Sequence, residues 1–177
     1  MLGNDIVDLK SAQAQSNWRR KGYLAKIFTA EEQEHIGRAT HPDQMIWLLW
    51  SMKESTYKIT NRACLQRFYS PTKFSCQLSG ADGLVHFKGR KYYTKSVIND
   101  DLIHTIASSK KEKLKDIKTY YSANKTEYAL EFNSKFPAYF LEKDINGIPN
   151  LINKLNGESC LASISHHGKY VAIVYML

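Results

Sequence analysis

The chain lacks most of the short signals that announce a function. It has no glycine-rich phosphate loop, which removes the commonest backbone cradle for a nucleotide. Its three cysteines, Cys64, Cys76 and Cys160, stand apart without CxxC spacing, so neither a zinc site nor a redox pair is indicated and a small, buried role is expected of each. His35 and His41 have no carboxylate or cysteine at metal-ligand spacing. No apolar run approaches the roughly 20 residues of a membrane helix, and the first residues carry neither the basic nor the apolar region of a signal peptide. A cytoplasmic protein with no membrane partner is therefore expected. Neither an internal repeat nor a low-complexity linker is visible.

What is present suits a packed enzyme-sized unit. A length of 177 residues fits one domain spanning 1–177 with a full core, and 43% hydrophobic with 12% aromatic content excludes general disorder. The excess of 25 Lys and Arg over 17 Asp and Glu gives a net charge of +8, which implies attraction to something anionic. Nucleic acid, a phosphorylated cofactor and an acidic protein all satisfy that.

Taken along the chain, the pattern is α+β, an antiparallel sheet packed against a long central helix. Residues 1–7 read as a short strand that delivers Asp5 and Asp8 to its end. Aspartate is disfavoured in strands, so Asp5, between Asn4 and Ile6, is placed for chemistry. Residues 16–28 are expected as a basic helix, with Trp18, Tyr23, Leu24 and Ile27 for packing and Arg19, Arg20, Lys21 and Lys26 for solvent. Thr29 with Glu32 makes a capping box, starting a helix at Ala30 that continues to about Gly37. His41-Pro42-Asp43 ends it, with Asp43 as the cap of the next helix. From 61 to 110 the texture is β, with runs at 74–78, 83–88, 92–98 and 102–108 separated by turns. Residues 109–116 read as a solvated connection, 120–140 permit no single assignment, and Asn146-Gly147 before Pro149 is a turn. Residues 161–177 form a hairpin whose first strand ends in Ser163, Ser165 and His166.

The run 43–58 is the chain's centre. At about 3.6 residues per turn, Trp47, Ser51, Glu54 and Lys58 share one edge of a helix beside an apolar stripe of Ile46, Leu49, Trp50 and Tyr57. Glu54 and Lys58 thus sit at the margin of a buried surface, where charges are hard to solvate. Two carboxylates, Asp5 and Glu54, in oxygen-rich surroundings suit Mg²⁺, and Lys58 would neutralise a further phosphate oxygen. A divalent ion with an ammonium across a pyrophosphate stabilises charge in phosphoryl transfer, so the pattern points to a diphosphate substrate.

Three motifs together resemble the 4′-phosphopantetheinyl transferase superfamily. Leu2-Gly-Asn-Asp-Ile-Val-Asp8 is similar to its Gly-x-Asp motif, and Trp50-Ser-Met-Lys-Glu-Ser-Thr-Tyr-Lys58 to its Lys-Glu-x-x-x-Lys motif. Ser163-Ile-Ser-His-His-Gly168 resembles its Ser-x-Ser-His-x-Gly hairpin. The resemblance implies Mg²⁺-dependent transfer of the phosphopantetheine arm of coenzyme A to a serine of an acyl or peptidyl carrier protein, releasing 3′,5′-adenosine bisphosphate. It implies that Asp5 and Glu54 hold the metal, and that Lys53, Lys58, Ser165 and His166 contact the coenzyme, His166 near its 3′-phosphate. The attacking serine would lose its proton to Glu54 or to a metal-bound water. Larger members carry a second ligand two residues after the first Asp, where this chain has Val7, and their hairpin precedes the Gly-x-Asp strand. Both departures resemble the small holo-acyl-carrier-protein synthase type, which implies a trimer whose hairpins complete neighbouring sites. Carrier proteins are acidic, so Arg19, Arg20, Lys21 and Lys26 are candidates for docking.

Two other readings compete. Asp, Glu and Lys on a basic protein also describe a metal-dependent nuclease or phosphodiesterase, but there the lysine commonly follows the acid by two on a strand, whereas Lys58 follows Glu54 by four on a helix. A basic nucleic-acid-binding protein could use the 11 tyrosines for stacking. The aromatics occur mostly within apolar strand patterns, which suits a core better, and no nucleic-acid partner is expected.

Overall fold

The computed structural model describes residues 1–65 and 70–177. Strand β1 (Leu2–Asp8) leads into helices α1 (Leu9–Gln15), α2 (Tyr23–Ile27), α3 (Ala30–Arg38) and α4 (Pro42–Cys64). Strands β2 (Ser75–Ser79), β3 (Asp82–Phe87), β4 (Arg90–Ile98) and β5 (Leu102–Ser108) then fold back on β1 as an antiparallel sheet in the order β1-β5-β4-β3-β2. The chain repeats the same path. Strand β6 (Lys118–Ser122) and helix α5 (Tyr128–Lys135) precede β7 (Tyr139–Lys143), β8 (Pro149–Asn153), β9 (Ser159–His167) and β10 (Tyr170–Tyr175), ordered β6-β10-β9-β8-β7. The class is α+β, but with two sheets where one was expected, and with a duplicated topology that no sequence repeat discloses.

Each half has its own apolar cluster. Ile46, Leu49 and Ile59 of α4 are fully buried with Phe74, Val85 and Ile103, while Phe132 of α5 packs with Leu141, Leu151, Val171 and Ile173. Helix α4 lies on β1 and β5, and β9 and β10 lie against β1, so β1 is shared between the halves. Among the described residues no helix is long and apolar enough to cross a membrane.

Local chemistry explains the element boundaries. Thr29 and Glu32 make the reciprocal cap of α3, with bonds of 2.8 and 3.3 Å. Helix α4 starts one residue before Asp43: His41 is the cap, Pro42 takes the first position, and Asp43 instead binds Arg19 at 3.0 Å and Trp18 Nε1 at 2.7 Å. It also runs beyond Asn61 to a left-handed Leu65 at φ 53°. The basic helix expected at 16–28 is reduced to α2, because the chain turns at Asn17–Arg20 and Gly22 takes φ 80°. Helix α1 was not foreseen; Asp8 caps it through Ser11 N–H at 3.1 Å. Residues 111–116 wind into a 3₁₀ turn, and the unassigned tract resolves into parts of β6, α5 and β7.

Candidate functional site

The site is built where β1, α4 and the β9–β10 hairpin meet. Gly3 permits the first contact, since a Cβ there would run into the carbonyl oxygen of Ser55 on α4. Asn4 makes the second: its N–H donates to Ser163 Oγ at 3.2 Å, and its side-chain amide lies 2.8 Å from Ser165 Oγ and 3.1 Å from Ala172 O. Gly168, at φ 54°, makes the third, because a Cβ would collide with Asp8. Asp8 accepts from Lys169 N–H at 3.1 Å through the carboxylate oxygen that Ser11 does not use, and its own N–H donates to His167 Nδ1 at 3.0 Å. Burial alone would raise the Asp8 carboxyl, but the N–H donors of Ser11, Lys169 and Lys10 together hold it below the ordinary range. Asp8 is therefore a clasp between the halves rather than a free carboxylate.

Within this frame the expected acids and bases sort themselves. Asp5 is half-buried, and Lys58 Nζ stands 3.7 Å from its Oδ1 while donating to Asn4 O at 2.7 Å and Ile164 O at 3.3 Å. The Lys58 ammonium thus bridges β1 and β9 beside the acid. Asp5 Oδ2 is buried with no hydrogen-bond partner. Burial pushes the Asp5 carboxyl above its usual range, against the opposing pull of Lys58, Ser51 and His167. Glu54 is half-buried one turn before Lys58 on α4. Among the described residues no group of three or more His, Cys, Asp or Glu converges. An orphaned carboxylate oxygen in such a setting fits a hard divalent cation of the Mg²⁺ kind.

A cavity of about 430 Å³ opens beside Lys58, lined by Arg62, Lys125, Tyr128, Lys143 and His166 among others. Burial and the charges of Lys125, Lys58 and Lys143 hold the His166 imidazole below its ordinary value. Arg62 stiffens the wall, binding Asn150 Oδ1 at 3.1 Å, Pro149 O at 2.6 Å and Ala162 O. The arrangement can seat a polyanion with a divalent ion at one end and cations from both halves along its length.

Two residues expected to contact the coenzyme are engaged within the protein. Lys53 is fully buried, paired with Glu32 at 2.7 Å and bound to the carbonyls of Pro71 at 2.9 Å and of Phe74. Its neighbour in sequence, Glu54, turns to another face of the helix, and the lysine serves the core. Ser165 is 4% exposed, its hydroxyl accepting from Asn4. The β9–β10 hairpin is seated on β1 of its own chain. Sequence reasoning missed Asn4, Arg62, Lys125, Tyr128, Lys143 and His167. Only Asn4 carried a signal, a polar residue within an otherwise apolar strand.

The family model ACPS, 4′-phosphopantetheinyl transferase superfamily, matches residues 1–107, which include β1 and α4. No curated protein matches the chain.

Proposed function

This chain belongs to the 4′-phosphopantetheinyl transferase superfamily, and from that premise we propose that it transfers the 4′-phosphopantetheine arm of coenzyme A to a serine of an apo carrier protein, with Mg²⁺, releasing 3′,5′-adenosine bisphosphate. The observation that carries this reading is Asp5, one carboxylate oxygen buried and unpartnered and the other 3.7 Å from Lys58, which itself lines a cationic cavity. Asp5 and Glu54 would hold the ion, which when bound neutralises the diphosphate and eases departure of the leaving phosphate.

The chain's own residues supply the rest. Lys58, anchored by two carbonyls, presents its ammonium to a diphosphate oxygen. His166, Lys125 and Lys143 surround the space for the second phosphorylated end of the coenzyme, and Tyr128 offers an aromatic face there. Glu54, half-buried on α4 one turn before Lys58, would take the proton of the attacking serine. Because these groups come from both sheets, residues 1–177 act as one catalytic unit. The trimer implied by the small holo-acyl-carrier-protein synthase type is not needed, since a single chain carries every group named. Arg20, Lys21 and Lys26 are exposed and offer an acidic carrier its approach, while Arg19 is tied to Asp43. The place of action would be the cytoplasm, where carriers and coenzyme A meet.

Incubation with Mg²⁺, coenzyme A and a panel of apo carriers, followed by mass spectrometry of the carrier, tests the reading. Gain of one phosphopantetheine mass that chelation abolishes is expected. No gain on carriers from fatty-acid, polyketide or peptide synthesis would overturn it. In the same assay a KM for carrier that does not rise with salt would remove the basic docking surface.

A further inference from the structure

Three side chains at alternate positions of β9 accept hydrogen bonds from β1. Ser163 accepts from Asn4 N–H at 3.2 Å, Ser165 from the Asn4 side-chain amide at 2.8 Å, and His167 Nδ1 from Asp8 N–H at 3.0 Å. The third differs in kind. A backbone N–H can only donate, so Nδ1 must be the acceptor nitrogen, and the neutral ring then carries its proton on Nε2 at the far edge. Among the described residues Nε2 makes no hydrogen bond, and the ring is only half-buried. The ring lies against the Asp8 end of β1, three positions along the strand from Asp5, whose carboxyl it helps to hold down.

This geometry excludes His167 as a metal ligand, because one nitrogen is occupied and the other bears a proton. It leaves the ring a fixed donor at the Asp8 end of the strand that carries Asp5. Strand β1 itself has nothing more to give there: Val7 is 4% exposed in the first apolar cluster, and Asp8 is engaged with Ser11 and Lys169.

We infer that His167 is the donor that the second half of the chain contributes to the reacting diphosphate, its Nε2–H bonding a phosphate oxygen of the bound coenzyme while the Asp8 backbone orients the ring. The inference rests on the proposed function and deepens it. The hydrogen bond would be formed with an anionic acceptor, and such bonds are the strong ones.

Two measurements test it. In the ¹⁵N spectrum of the metal-free chain, His167 should show the Nε2–H tautomer, and its Nε2 resonance should move when coenzyme A is added; an Nδ1–H tautomer, or an unmoved Nε2, overturns the inference. Calorimetry with coenzyme A then compares His167→Asn, which keeps an acceptor for Asp8 N–H but has no donor at the ring's far edge, with His167→Gln, which restores reach to that edge. His167→Asn should keep the parent melting temperature and lose about tenfold or more in coenzyme affinity, with His167→Gln recovering part of it. Equal affinity in parent and His167→Asn, or a loss confined to melting temperature, leaves the residue a clasp only and overturns the inference. A parent chain that takes up no coenzyme A at all fails the proposed function, and is thereby told apart from a parent that binds while His167→Asn binds as well.

Discussion

His104 on β5 is fully enclosed between the halves, with Nδ1 2.8 Å from the Tyr121 hydroxyl and Nε2 3.3 Å from the Asn4 amide. Burial, helped by the charge of Lys58, pulls its imidazole down to about 4. The unfolded chain therefore binds a proton near pH 6.5 that the folded chain refuses until about pH 4, so stability is full above 6.5 and falls as pH drops through that window. The loss should reach about 3 kcal/mol, and urea unfolding at successive pH values should show it in the parent and a flatter profile in His104→Gln. Asp5 behaves with the opposite sign. Its raised folded-state value means that the ionised form is disfavoured by folding, so stability contributed by this residue declines as pH rises from the ordinary carboxylate range through the raised value. Metal-free Asp5→Asn should melt at or above the parent temperature at neutral pH, the difference vanishing in acid. Added Mg²⁺ should raise the melting temperature of the parent and not that of the variant, and an equal response of both would remove Asp5 from the metal site.

At the scale of elements, the motif glycines and the clasp decide how the halves meet. Asp8→Ala strips acceptors from Ser11 and Lys169 N–H at once and should cost about 1–2 kcal/mol in chemical denaturation, with hydrogen exchange rising at the 167–170 turn. Lys53→Met should be worse, about 3–5 kcal/mol, because Glu32 would remain buried and unpaired. The coenzyme affinity of the folded fraction should nevertheless match the parent by calorimetry, and a selective loss of binding would return Lys53 to the coenzyme. These elements also show what was legible beforehand. The α3 capping box and strands β2 to β5, which join β1 in the first sheet, follow from local chemistry that no distant contact overrides. Helical spacing also put Glu54 and Lys58 on one edge. It could not tell that Lys53 points into a core whose acid lies 21 residues away, since a buried ion pair leaves no local pattern. Asp8 reads as a strand-end acid because the helix it caps is only seven residues long, and the polar-aromatic tract hid β6 and α5, whose apolar faces are too short to show a period.

At the scale of the molecule, the duplicated path matters most. The hairpin packs on β1 of its own chain, so under the proposed function sedimentation of fully active protein should find a single chain; activity confined to a trimeric fraction would establish a shared site. The register carries one more consequence. Tyr175 pairs with Ala162, and the adjoining Ser163 accepts from Asn4, so the last strand ends near where the first begins. Opening the chain within residues 109–117 and tying residue 177 to residue 1 with a short flexible link would place the hairpin-bearing half ahead of the Gly-x-Asp half. That circular permutant would have the order found in the family's larger members, and it should fold to the same spectrum and keep its catalytic rate. The working cleft would then be indifferent to the order in which the two halves are translated.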